Sequence, residues 1–141
     1  MGKTKTKVIE GKEEGASAKK AAVKRIAVGR GIFYVKANIN NTIVSFADLK
    51  GNILTFSSCG NAGFKNTRKG TPYAAAKAVE VLLGKMQHID VGEVKIIMEG
   101  VGPGRESAIR ALFNANLNIQ IVEDRTPVPF GGPQHKKPRK T

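Results

Sequence analysis

The chain has 141 residues, enough for one domain around a single core. Its 24 Lys and Arg against 11 Asp and Glu leave a net charge of +13, a surplus that repels itself and asks for a polyanionic partner, nucleic acid first and an anionic membrane surface second. No apolar run approaches the roughly 20 residues that span a bilayer, the lone Cys59 excludes an internal disulfide or a cysteine zinc cluster, and His88 and His135 are too few and too far apart to suggest a metal site.

Residues 1–29 read as a flexible basic arm. Ala, Gly, Lys and Glu dominate, apolar periodicity is absent until Ile26, and the basic start leads into no apolar stretch, so a secretory signal is not indicated. From Gly31 to Ser58 the pattern is that of strands. Phe33, Val35, Ala37 and Ile39 alternate with polar positions, and Asn40-Asn41 marks a turn. Residues 42–47 and 53–57 form two further strands around the turn Asp48–Asn52, which predicts an antiparallel meander.

Cys59 to Thr71 is a long polar loop, a length usually functional or disordered. Lys65, Arg68 and Lys69 are placed to meet phosphates, with Asn66 between them. Phe64 either stacks on an unpaired base or pins the loop to the core, pinning being the commoner role. Thr71-Pro72 starts a helix, with Thr as N-cap and Pro in the first turn. Val79, Leu82, Leu83 and Met86 recur at helical spacing and form its buried stripe.

A fourth strand over Glu93–Met98 leads into Gly100-Val101-Gly102-Pro103-Gly104-Arg105, and a helix runs on from Arg105 to Ala115 with Ala108, Ile109, Leu112 and Phe113 as its core side. The glycine-rich turn has two readings. It is a tight turn with nothing bound, or an anion site in which Gly102 and Gly104 let a phosphate approach the helix N-terminus and Arg105 supplies a planar charged fork. Glu106 and Arg110 stand in the favourable i, i+4 order for a surface pair. Asn116 suits a left-handed helix cap, and Asn118–Val122 is the fifth strand. From Asp124 to Thr141 four prolines and five basic residues, Arg125, Lys136, Lys137, Arg139 and Lys140, predict a stiff, extended basic tail.

The order β-β-β-α-β-α-β implies an α/β fold. A mixed five-strand sheet is flanked by helices over residues 30–123, with basic extensions on both sides. Catalysis is not indicated. The P-loop Lys-Ser/Thr is missing, the glycines do not give the dinucleotide fingerprint, and the first strand carries no acid for a metal-dependent nuclease. Glu80, Glu93, Glu99, Glu106 and Glu123 read as surface or ion-pair residues. No cofactor and no metal are expected. The competing readings are a free-standing RNA-binding or chaperone protein and a nuclease of the same architecture.

Four separated segments carry a family likeness: Asn40-Asn41-Thr42-Ile43-Val44; Gly63-Phe64-Lys65 with Arg68–Ala75; Gly102–Leu112; and Thr126-Pro127-Val128-Pro129. In this order and at these separations they resemble the small-subunit ribosomal protein S-eleven family, bacterial type. The resemblance implies a ribonuclease H-like sheet without a working active site. It also implies a place on the platform of the small subunit, where the protein bridges 16S rRNA helices and helps line the cleft in which messenger RNA pairs with the rRNA 3′ end. Proteins S-seven and S-eighteen and initiation factor three would be neighbours. The location would be a cytoplasmic, or organellar, ribosome, with neither a membrane nor a second copy of the chain as partner. By likeness Asn40, Asn41, Lys65, Asn66, Arg68, Lys69, Thr71, Gly102, Gly104, Arg105, Arg110, Arg125 and the tail lysines and arginine would face RNA. The chain departs from the family pattern after Pro129, where Phe130–His135 replaces the usual segment, and at Arg125, where an apolar residue is usual.

Overall fold

The computed structural model describes residues 26–138. The expected arm up to residue 25, and Arg139 and Lys140 of the tail, lie outside them. The elements run β1 (Ile26–Ala37), β2 (Thr42–Asp48), β3 (Ile53–Ser58), α1 (Pro72–Lys85), β4 (Ile89–Glu99), α2 (Gly104–Phe113) and β5 (Asn118–Asp124), with short 3₁₀ turns at Asn66–Gly70 and Met86–His88. This is the predicted order. The strands lie side by side as β3-β2-β1-β4-β5. β2 is antiparallel to β1 and to β3, whereas β4 is parallel to β1 and to β5.

Period-2 alternation puts Phe33, Val35, Val44, Phe46, Val94 and Ile96 on one face, and all are fully or almost fully buried. Both helices pack there. Val79 and Leu82 of α1, Met86 of the 3₁₀ turn that follows it, and Ala108 and Leu112 of α2 complete one core in which the Phe33 and Phe46 rings lie 4.7 Å apart. Thr71 caps α1 as expected, its hydroxyl accepting from the Ala74 N–H at 3.3 Å. Asn116 takes the left-handed conformation at φ 53° that ends the turn after α2.

Three details differ from the sequence reading. β1 and β4 begin earlier than Gly31 and Glu93, pairing Ile26 with Ile89 and Val28 with Val91. Val91-Gly92, a turn signal by its sequence, instead lies within β4, and Gly92 lets the strands approach, since a Cβ there would collide with the Gly29 carbonyl. Ile39 is exposed, because the strand ends at Ala37 and the alternation stops with it. Phe113 is exposed as well. The inner side of α2 is made by small residues, Gly104 and Ala108 with half-buried Ala111, around Leu112.

Candidate nucleic-acid interface

Strand direction decides where the four sequence segments end up. β1, β3, β4 and β5 all run one way, and β2 alone runs back. Their carboxyl ends therefore lie along one edge of the sheet, which is where open α/β sheets carry their ligand-binding loops. The loops 38–41, 59–71 and 100–103 and the start of the tail all leave from this edge. Both helices start there too, so their partial positive ends point the same way. α1 has no acid in its first turn to offset that charge.

Glycines join these loops. A Cβ at Gly70 would strike the Ile39 carbonyl, one at Gly100 the Ala37 carbonyl, and one at Gly102 the Asn38 carbonyl. At Gly104 it would meet the Thr42 hydroxyl and Ala75. The Gly102 N–H donates to the Ala37 carbonyl at 2.9 Å. Gly100 has φ 96°, a conformation that favours glycine. Gly102 and Gly104 are buried, Gly102 against the Asn38 and Ala37 backbone and Gly104 against the Thr42 and Ala75 side chains, so their smallness serves close packing here.

Lys65, Asn66 and Arg68 are exposed and Lys69 is half-buried along the 3₁₀ turn, where Asn66 holds φ 52°. Asn40 is exposed beside them. Asn41 is half-buried, its side-chain oxygen lacking a protein donor. The Thr71 hydroxyl is engaged twice, donating to the Arg68 carbonyl at 2.8 Å and capping α1. Phe64 pins the loop. It packs on the cluster of Cys59, Ala74 and Ala78 and meets Tyr73 edge-to-face at 5.8 Å. Arg110 lies apart from this edge, on the outer side of α2, 3.4 Å from Glu106. Lys136 and Lys137 are exposed in the extended tail.

The ion pairs sort the cations into two groups. Arg30 meets Glu93, Lys36 meets Glu99, Lys77 meets Glu80, Lys95 and Arg125 share Glu123, Arg105 meets Asp124, and Arg110 meets Glu106. Every glutamate singled out in the sequence is thus in an ion pair. Lys50, Lys65, Arg68, Lys69, Lys85, Lys136 and Lys137 have no acidic partner among the described residues. Of these, Lys65, Arg68 and Lys69 lie together on one loop of the shared edge.

Arg105 is only 28% exposed at its side chain. Its guanidinium donates to the Gly100 carbonyl at 3.1 Å and to Asp124 Oδ2. Asp124 Oδ1 accepts from the Thr126 hydroxyl at 2.6 Å and from the Thr126 N–H at 3.0 Å. The two Thr126 bonds and then Arg105 hold the Asp124 carboxyl down to about 2. The hydrogen-bonded neighbour Lys95, with a further bond from Arg125, lowers Glu123 against some desolvation.

Two features escape a reading of the sequence. Tyr73 is 64% exposed at the start of α1, between the 65–69 loop and Lys77, whose Nζ is 5.9 Å from the ring centre. Its place off the Val79–Leu82–Met86 stripe was the available signal. Asp124 and Thr126 come to Arg105 only through the pairing of β5 with β4, and no local pattern announces that.

A rigid sheet that gathers basic loops, two helix starts and a basic tail on one edge defines a polyanion-binding α/β scaffold. Among the described residues no group of His, Cys, Asp or Glu converges as a metal site would require. The model of the ribosomal protein S11 family matches residues 31–140. The small ribosomal subunit protein uS11 of Thermotoga maritima is 41% identical over 129 residues, covering 92% of this chain and 98% of the relative. Those of Thermosipho melanesiensis and Borreliella burgdorferi are 43% and 42% identical, covering 82% and 80% of this chain and 90% and 87% of theirs. The chain belongs to the ribosomal protein S11 family, whose members are structural ribosomal proteins and not enzymes.

Proposed function

We propose that this protein is a scaffold of the small ribosomal subunit that binds 16S rRNA through the shared loop edge and the basic tail. One observation carries the reading. Of the seven described cations left without acidic partners, three cluster on the 65–69 loop, at the edge where the helix starts also point, and two recur at Lys136 and Lys137, while Lys50 and Lys85 stand singly elsewhere. Phosphate contacts from Lys65, Arg68, Lys69 and the tail, Arg139 and Lys140 included, supply the affinity. Asn40, Asn41 and Asn66 are within the same edge as hydrogen-bonding neighbours, and Tyr73 offers a ring for a base. Arg110 and Arg125 lie farther out and contribute at the margin. The family likeness adds the finer placement: the platform, contact with several rRNA helices, the cleft where messenger RNA pairs with the rRNA 3′ end, and S-seven, S-eighteen and initiation factor three as neighbours.

The test is binding of the full chain to a 16S rRNA fragment at a series of salt concentrations. Phosphate-led binding gives a steep linear fall of log affinity with log salt, of about 0.7–0.9 per contact. A flat dependence overturns the reading. Co-sedimentation with small subunits in cell lysate tests the assembly itself.

A further inference from the structure

Arg105 is the cation that the glycine-rich turn presents most obviously to an anion, yet its guanidinium is turned inward. One arm holds the carbonyl of Gly100, the other holds Asp124. The second oxygen of Asp124 takes both the N–H and the hydroxyl of Thr126. The Thr126 hydroxyl in turn accepts from the Gly100 N–H at 3.2 Å. The ring of contacts closes on the residue where it began. Beside it the Arg125 N–H donates to the Met98 carbonyl at 2.8 Å, so the first residue past β5 is also held to β4.

Just beyond Thr126 the chain is stiff. Pro127 and Pro129 have fixed φ and no N–H, so residues 127–129 stay extended and carry onward the direction given at Thr126 as far as the bend at Gly131, which holds φ 62°. Lys136 and Lys137 lie a few residues beyond that bend, so the clasp sets where the tail starts and how it is first aimed. An arginine meant to grip a phosphate gains nothing from a carboxylate bonded to the same guanidinium, because the acid cancels its charge and repels the ligand. Arg110, by contrast, is 79% exposed and only loosely paired, as a surface cation is.

We propose that Arg105, Asp124 and Thr126 form a clasp that aims the basic tail, and that Arg105 is a positioning residue for RNA binding rather than a phosphate ligand. This rests on the RNA-binding reading above. A fixed departure angle keeps the tail lysines at high effective concentration near the RNA already held by the 65–69 loop; a swivelling tail loses that advantage.

Asp124→Asn separates the two roles by sign. If Arg105 grips phosphate, removing the acid frees it and RNA binds more tightly. If the clasp aims the tail, binding of the full chain to a 16S rRNA fragment weakens, by about three- to tenfold. Thr126→Val leaves the charge unchanged and is expected to weaken binding similarly, which also covers the case in which Asp124→Asn does not fold. In a chain ending at Pro127 both substitutions are expected to be silent. Without RNA, trypsin is expected to cut after Arg125 faster in both variants than in the native chain. Tighter or unchanged binding by the variants overturns the clasp, as does an equal loss in the shortened chain. If the native chain itself shows no salt-dependent RNA binding, the functional reading fails, and the cleavage rates still judge the clasp on their own.

Discussion

The outer surface of β1, β4 and β5 and the loop at 65–69 are both rich in cations, but they are built differently. On the strands Arg30, Lys36 and Lys95 each face a glutamate across the sheet, and the field they make falls off within a side chain's length. On the loop Lys65, Arg68 and Lys69 stand without acids in a turn that also receives the positive end of α1. The lesson is that a chain's net charge does not locate its partner. On the proposed reading, what marks the binding edge is leftover charge that clusters: Lys50 and Lys85 also lack acids but stand singly, whereas Lys65, Arg68 and Lys69 share one loop.

The strongest way to break this contrast is to neutralise the loop. Lys65→Ala with Arg68→Ala and Lys69→Ala is expected to lower affinity for a 16S rRNA fragment on the order of a hundredfold, and to reduce the salt slope by two to three, at about 0.7–0.9 per lost contact. A slope that does not change would mean the loop touches no phosphate.

The next effect acts on the frame that holds the loops together. Gly102→Ala forces a methyl group into the Asn38 carbonyl and is expected to destabilise the protein by about 2–3 kcal/mol, seen as a lower denaturation midpoint with an unchanged denaturant slope. Thr71→Val removes the hydroxyl that caps α1 and is expected to lower stability by about 1 kcal/mol. It sharpens the comparison, because the same hydroxyl ties the end of the basic turn to the helix.

The clasp supplies a pH test. The folded Asp124 carboxyl lies at about 2, below its ordinary 3.8, so its contribution is complete above roughly pH 4 and is lost as the pH falls toward 2. The Thr126 amide resonance is expected to titrate with a midpoint near 2 rather than near 4. The smallest expected effect belongs to the paired set. Lys77→Ala removes a cation already satisfied by Glu80 and should leave RNA affinity and the salt slope within error of the native chain.

Much of the fold was legible because alternation and capping are local. Phe33 and Val35 declared their face by period, Thr71-Pro72 declared a helix start, and turn residues separated the first three strands. Ile39 and Phe113 were misjudged because a period says which face a residue shares, not where the element stops or which neighbour covers it. The site was half legible. Lys65, Arg68 and Lys69 showed as a basic loop, but a glycine needed for a ligand and a glycine needed for a neighbouring backbone look alike in sequence. In the fold Gly102 packs against the Asn38 backbone and Gly104 against the Thr42 and Ala75 side chains, a use no local pattern distinguishes from ligand binding. The partner of Arg105 lies 19 residues further on and arrives only when β5 joins the sheet.

Strand polarity has one more consequence. Residue 26 enters β1 at its far end, while Asp124 closes β5 level with Met98, which pairs with Val35. Nine residues of strand separate those levels, about 30 Å. The described chain therefore enters and leaves the sheet at opposite poles of a stiff strut, so on the proposed reading the tail's RNA contacts and anything bound before β1 would be held apart by the length of β1.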